Sequence, residues 1–131
     1  MLVVTSVLAW PDHLLTLSEW DALPTDTPRR LELVEGVLVV APKPTPLHQR
    51  VAARLATLLD AQLPDQLCAL PDVEVVIVAQ GPATVRAPDV LIVPTSLAEA
   101  NPPRLAAQDV VLAVEVLSPG TMRTDRVMKM V

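Results

Sequence analysis

The chain has 131 residues, of which 51% are hydrophobic. We therefore expect residues 1–131 to form a single domain with its own core, in which residues 1–15 are an N-terminal extension. The formal net charge of −5 argues against a protein whose main role is non-specific nucleic-acid binding, and the lone Cys68 excludes a disulfide framework. No apolar stretch approaches the roughly 20 residues of a membrane-spanning helix and the start lacks a basic signal-peptide region, so we expect a cytoplasmic protein.

The first predicted elements are a short helix and a β-hairpin. Thr16–Glu19, with the sequence Thr-Leu-Ser-Glu, fits a capping box, and we expect the helix to run to about Leu23. Two β-prone runs follow, Leu31–Val34 and Val37–Val40, and Glu35-Gly36 between them supplies the glycine that a tight turn needs. The residues placed as a hydrophobic staple around the capping box are Leu15 and Trp20.

A second helix and three strands follow. Thr45-Pro46 is a strong helix start, because threonine caps free backbone amides and proline has no amide to satisfy. The apolar positions of this helix are Val51, Leu55, Leu58 and Leu59, with Arg50 and Arg54 on another side. The strand-like runs are 73–79, 84–93 and 109–117, and a final amphipathic segment begins after 118–120. This order predicts an α/β domain with a mixed sheet.

Two acidic residues interrupt strand-like runs that are otherwise apolar on both faces. Glu115 lies within 109–117, and Asp89 lies within 84–93. A buried carboxylate without a partner costs several kcal/mol, and the chain has only two lysines, so a shared Mg²⁺ or Mn²⁺ would resolve the anomaly. Two structural alternatives stay open from the pattern alone: Asp89 as a turn residue after Pro88, and Glu115 pointing outward from an edge strand.

Several motifs together resemble the Uma-two family of endonucleases, which belongs to the PD-(D/E)XK nuclease superfamily. They are Pro88-Asp89-Val90, then 114–119 (Val-Glu-Val-Leu-Ser-Pro), then Asp125 and Lys129, with further matches at 17–20, 31–39 and 45–48. The resemblance spans about residue 16 to the end. It implies a restriction endonuclease-like fold, in which a mixed β-sheet is flanked by helices and preceded by a helix and a hairpin.

The resemblance also implies a chemistry. A divalent Mg²⁺, or Mn²⁺, would be held by Asp89, Glu115 and the backbone carbonyl of Val116, where it would polarise a phosphate and activate a water to hydrolyse DNA. In the superfamily a lysine two positions after the glutamate assists that water, but here the position is Leu117. The family's lysine on the following helix matches Lys129, for which an exposed ion pair with Asp125 is the structural alternative.

Other residues are candidate neighbours of this site. Glu32 matches a family position and is either a third acid near the metal or a strand residue in a salt bridge. His48 faces inward on its helix, where it contacts phosphate or the acids, or is a hydrogen-bonded core histidine. Arginines that could contact a nucleic-acid backbone are Arg50, Arg54, Arg123 and Arg126, and the residues interpreted as structural are His13 and Glu74.

The resemblance is incomplete at the C-terminal end. The chain stops at Val131, inside the helix predicted to carry Lys129, whereas family members continue with more helix and further strands. We therefore expect the C-terminal part of the fold to be missing. A catalytically inactive or truncated nuclease-fold interaction module is the alternative to an active enzyme, supported by Leu117, the acidic charge and the early end. A homodimer is implied by the superfamily alone.

Overall fold

The computed structural model of the protein describes residues 10–24 and 30–117. In chain order its elements are α1 (Leu17–Asp21), β1 (Arg30–Val34), β2 (Val37–Ala41), α2 (Pro46–Gln62), β3 (Leu67–Pro71), β4 (Val75–Val78), β5 (Thr84–Arg86), β6 (Val90–Pro94), α3 (Thr95–Glu99), β7 (Leu105–Ala106), a 3-10 turn (Ala107–Asp109) and β8 (Leu112–Val114). The described residues divide into two compact units, unit 1 (up to Lys43, and Glu74–Ala87) and unit 2 (Pro44–Val73, and from Pro88 on). A single domain stays a prediction.

Unit 1 contains the predicted helix and hairpin, and both are confirmed. Its strands run in the order β2-β1-β5-β4, and neighbouring strands are antiparallel. Thr16 and Glu19 form both hydrogen bonds of the capping box, although α1 ends at Asp21 instead of continuing to Leu23. The core of the unit consists of Leu15, Leu33, Leu38, Ala83 and Val85, with Trp20 packed against it.

The hairpin turn depends on two residues with positive φ. Val34 pairs with Val37, so only Glu35 and Gly36 connect β1 to β2, with φ of 48° and 81°. Positive φ at both central positions is what a two-residue type I′ turn requires. Gly36 also lies against Leu14, and a Cβ atom built on it would approach the Leu14 Cβ to 2.8 Å. The sequence therefore needs glycine here for conformation and for space.

Unit 2 is built on a three-stranded antiparallel sheet with the order β3-β6-β8. Strand β6 is central, and its Val90, Leu91 and Val93 are fully enclosed, at 0% exposure. Helix α2 packs on β3 and β6, and the side chain of Thr45 caps it by accepting from the amide of His48. Fewer of the apolar residues of α2 are buried than predicted. Ala52 is buried and Leu55 and Leu59 are half-buried, whereas Val51 and Leu58 are exposed.

Two predicted strands have different bounds in the structure. The run 84–93 divides into β5 and β6, which lie in different sheets, because Pro88 cannot donate a ladder hydrogen bond and the chain bends at Asp89. The run 109–117 forms a strand only over Leu112–Val114. In the described part of the chain β8 is an edge strand with exposed residues, so the expectation of a central strand covered on both faces was wrong.

Strand β3 and helix α3 were not predicted from the sequence. Strand β3 is short, ends in Pro71 and carries only half-buried residues before it, so it shows neither alternation nor a long β-branched run. Helix α3 has five residues and no side-chain cap. The α/β fold class agrees with the prediction. The described strands form two sheets in place of the single mixed sheet that was expected, and the strand pairs within each unit are antiparallel. None of the described helices is long and apolar enough to cross a membrane.

The exposed His13 lies between two carboxylates near α1. Its Nδ1 is 2.9 Å from Oδ1 of Asp12, and its Nε2 contacts Oε2 of Glu19. The hydrogen bond with Asp12, followed by the one with Glu19, raises the pKa of His13 above its ordinary 6.5. The same contacts lower the pKa of Asp12 and of Glu19. His13, which the sequence analysis interpreted as structural, thus forms a charge cluster at the start of the helix.

The pKa shifts of this cluster predict a pH window for its contribution to stability. The contribution of His13 is fully present below pH 6.5 and is lost as pH rises through its raised pKa. The contributions of Asp12 and Glu19 are present above 3.8 and 4.5 and are lost as pH falls through their lowered pKa values. An NMR titration should therefore place the His13 midpoint above 6.5, and Asp12→Asn and Glu19→Gln should each lower that midpoint, the second while keeping the helix cap.

The matched control for this titration is Asp65→Asn, which removes an exposed acid outside the cluster and should leave the His13 midpoint unchanged. A wild-type midpoint at or below 6.5 would show that the two carboxylates do not hold the imidazolium.

The two glycines with positive φ in the described part of the chain, Gly36 and Gly81, give a second prediction. Gly81, with φ of 63°, has open space where a Cβ would lie, so Gly81→Ala should cost only about 1 kcal/mol of conformational strain. Gly36→Ala should lower the free energy of unfolding by a further 1–3 kcal/mol or so, because the new Cβ overlaps Leu14 and Pro82. Urea denaturation measures both. Equal losses in the two variants would contradict close packing at Gly36.

Candidate functional site

The carboxylate of Asp89 is the centre of the candidate site. Asp89 occupies the bend immediately before β6, and its side chain is only 11% exposed. Its Oδ2 accepts a hydrogen bond from the backbone amide of Val116 at 2.7 Å and lies 3.2 Å from Nε2 of His48. Within the described residues, the hydrogen bonds to this carboxylate therefore all end on Oδ2. The backbone carbonyl of Asp89 accepts from the amide of Asp72 at 3.3 Å, which fixes the bend itself.

Helix α2 positions His48. The backbone amide of His48 donates to the side-chain oxygen of the capping Thr45, so His48 lies in the first turn of the helix. Its side chain is 14% exposed and points toward Asp89. The sequence analysis left two interpretations of His48 open, a contact to the acids and a hydrogen-bonded core residue. The structure combines them, because the imidazole is largely enclosed and its partner is Asp89.

Glu115 lies at the same end of the sheet as Asp89. The register of the antiparallel pair β6 and β8 places Val90 opposite Val114, so the residue before β6 and the residue after β8 are neighbours. The hydrogen bond from the next amide, that of Val116, to Asp89 agrees with this placement. Glu115 itself is exposed.

The expectation of two carboxylates inside apolar strands is corrected by these positions. Asp89 is enclosed but precedes its strand, and Glu115 follows the end of a short edge strand and reaches water. An acid in water pays little desolvation, so the burial argument for a cation applies to Asp89 and not to Glu115. Their proximity at one sheet end remains the feature that the pattern predicted.

The described residues fit one kind of metal site and not another. Among them, no three His, Cys, Asp or Glu side chains come together as a metal cage. Mg²⁺, however, is usually held by one or two carboxylates and completes its shell with water and phosphate oxygens. An enclosed carboxylate with one oxygen held by donors, beside a second acid, is compatible with that open type of site.

Comparison with known proteins identifies the family of the chain. The family described as "Uma2: Putative restriction endonuclease" matches residues 17–131. The chain belongs to the Uma2 family. This confirms the resemblance drawn from Pro88-Asp89-Val90 and the other motifs, and it makes the protein a relative of nucleases. None of the curated proteins matches the chain.

The fold of the chain is similar to that of a solved structure. It is described as "a putative nuclease belonging to DUF820" from Anabaena variabilis ATCC 29413, and it aligns with a TM-score of 0.63 and 19% identity. The alignment covers 88% of this chain and 65% of that protein, so the chain spans about two thirds of its length. The similarity confirms the restriction endonuclease-like fold, with helices flanking the sheets.

Other Uma2 motif positions have different outcomes. Lys129 and Asp125 lie outside the described residues, so a catalytic lysine stays a prediction. Leu117, which occupies the place of the superfamily's lysine, is the last described residue and is 43% exposed. The amide of Val116 contacts Asp89, whereas a ligand role for its carbonyl stays a prediction. A cavity of about 290 Å³ in unit 1 is lined by 10–14 and 36–38 and by none of the predicted site residues.

Both carboxylate oxygens of Glu32 have partners within unit 1. Oε1 accepts from the amide of Ala87 at 3.1 Å, and Oε2 lies 3.3 Å from Nη2 of Arg86. The glutamate side chain is 14% exposed, so these bonds offset a real loss of hydration. These contacts favour the salt-bridge interpretation of Glu32. The sequence alone could not predict these contacts, because Arg86 lies 54 positions after Glu32 and the two residues meet only where β1 pairs with β5.

These contacts predict that Glu32 acts on stability. Glu32→Gln should lower the free energy of unfolding by about 1–3 kcal/mol, because the ion pair between the mostly buried Glu32 and the partly buried Arg86 is lost. Urea denaturation of Glu32→Gln, Arg86→Met and the double variant gives the coupling energy of the pair. An unchanged stability with a loss of nuclease activity would instead favour the third-acid interpretation.

Proposed function

We propose that the protein is a metal-dependent endonuclease that hydrolyses phosphodiester bonds in DNA, using Mg²⁺ or Mn²⁺ at Asp89 and Glu115. Membership of the Uma2 family supports the nuclease class. The observation that carries the metal proposal is the carboxylate of Asp89, enclosed to 11% exposure, fixed through one oxygen, and set beside Glu115 at the end of β6 and β8. A bound cation would stabilise such a carboxylate, because its positive charge offsets the hydration that the carboxylate loses on burial.

The residues at this site have distinct proposed roles. Asp89 binds the cation from the protein side, with Glu115 and the carbonyl of Val116 as further oxygen ligands. The bound ion supplies Lewis-acid chemistry and a water of lowered pKa. Glu115, being exposed, lies where DNA can approach from solvent. Because the chain is acidic overall, a divalent charge at the site also reduces the repulsion that a phosphate backbone would meet.

Lys129 completes the proposal as the cation that orients the attacking water, since Leu117 cannot do so. Asp125, four positions earlier, would hold the ammonium group in place. These two roles rest on the family motif. A cytoplasmic location and a homodimeric enzyme, with DNA as its substrate, belong to the same proposal.

A second candidate function is a nuclease-fold interaction module without catalytic activity. Two observations favour it: Leu117 replaces the usual lysine, and the described residues hold no three-ligand metal cage. Such a module would bind no divalent metal through Asp89. Calorimetric titration with Mn²⁺ therefore separates the two candidates without an assay of cleavage.

The decisive experiment is cleavage of supercoiled plasmid DNA with Mg²⁺ or Mn²⁺. Asp89→Asn and Glu115→Gln should each lower the rate by at least about 100-fold, because both keep the size of the side chain and remove the charge that binds the cation. Nicked and linear products are followed by gel electrophoresis, with chelator as the metal-free reference.

Two matched substitutions control for the loss of negative charge. Asp65→Asn and Glu99→Gln change exposed acids of unit 2 that make no side-chain contact with Asp89, so cleavage should stay at the wild-type rate. Cleavage that survives in both Asp89→Asn and Glu115→Gln would show that the activity is a contaminant or lies elsewhere.

A further inference from the structure

The carboxylate of Asp89 is held asymmetrically. Oδ2 accepts from the Val116 amide and contacts His48, while the described residues give Oδ1 no hydrogen bond. A carboxylate has about four lone-pair positions, two on each oxygen. Both donors therefore use the acceptor capacity of one oxygen and leave that of the other for a ligand.

The two donors come from different elements. The Val116 amide follows β8, whose pairing with β6 fixes where the amide lies. His48 comes from the first turn of α2, which Thr45 caps. One hydrogen bond alone would let the carboxylate rotate about it, because the terminal torsion of aspartate has a broad energy minimum. A second bond from a separate direction restricts that rotation.

The contact also defines the proton position on His48. An ionised carboxylate can only accept, so Nε2 must carry the hydrogen. Nδ1 lies 3.2 Å from Oε1 of Gln49, and a half-turn of that side-chain amide places its nitrogen there instead, where it can donate to a neutral ring. The enclosed imidazole thus has a partner at each nitrogen, and its Nε2 is committed to Asp89.

We propose that His48 is a positioning residue for the metal site: its Nε2–H holds Oδ2 of Asp89 and leaves Oδ1 to take the divalent cation. This inference rests on the proposed function, since it concerns how Asp89 receives the metal. Groups that orient a metal-binding carboxylate without touching the metal commonly change metal affinity by 10–100-fold when removed. The role should therefore appear as a loss of metal affinity.

A pair of amide substitutions tests this role. The amide nitrogen of His48→Gln lies at about the reach of Nε2 and keeps the donated bond, whereas the shorter side chain of His48→Asn cannot reach Oδ2. Titration calorimetry with Mn²⁺ should show His48→Gln within about threefold of wild type and His48→Asn weaker by 10–100-fold. In plasmid cleavage, the Mn²⁺ concentration for half-maximal rate should shift alike, while kcat at saturating Mn²⁺ stays within a few-fold.

The outcomes separate this inference from the proposed function. Mn²⁺ binding that is lost in Asp89→Asn but unchanged in His48→Asn would overturn the positioning role and leave the metal site standing. Equal weakening by His48→Gln and His48→Asn would also overturn it, because the donated bond would not be what matters. A wild-type chain that binds no Mn²⁺ would overturn both. Thermal unfolding in chelator confirms that both variants are folded, so that a weak titration reflects the site.

Discussion

The hydrogen bond from the Val116 amide to Oδ2 of Asp89 ties the end of β8 to the start of β6, and the candidate site depends on it. A backbone donor cannot rotate away as a side chain can, so the carboxylate is oriented by the sheet itself. The bond is short, at 2.7 Å, and its acceptor is charged and mostly enclosed, conditions under which such bonds are strongest. Because Val116 directly follows Glu115, the same bond keeps the second acid beside the first.

Strand β6 and helix α2 of unit 2 hold the surroundings of Asp89 in place. Strand β6 is buried from Val90 to Val93 and lies between its two neighbouring strands, which hold the start of the strand where the bend at Asp89 ends. Helix α2 packs on β3 and β6 and brings His48 to the carboxylate from another side. One side of the site is thus held by hydrogen bonds to Asp89, and the other side, where Glu115 is exposed, opens to solvent. The proposed cleavage of DNA would need both features, a carboxylate held in place and an accessible edge.

Sequence patterns predicted the local structure well where short-range chemistry decides it. The capping box at Thr16, the turn at Glu35-Gly36 and the proline start of α2 each depend on a few adjacent residues, and each is present. The patterns failed where partners are distant. Alternation alone could not show that 84–93 crosses from one sheet to another, or that Glu115 lies past the end of its strand. The pairing of His48 with Asp89 needs tertiary structure, although both residues were singled out beforehand.

The division of the chain carries a consequence for how the protein is made. Unit 1 takes its strands from two stretches separated by α2 and β3, so β1 and β2 emerge from the ribosome well before β5 can pair with β1. Such non-local pairing slows folding, since a long loop must close first. Neither unit matches one continuous fragment of the gene, and expressing 44–73 alone would yield a helix and a strand without the β6 on which both pack. A truncation at any one boundary between the stretches therefore leaves at least one of the two units incomplete.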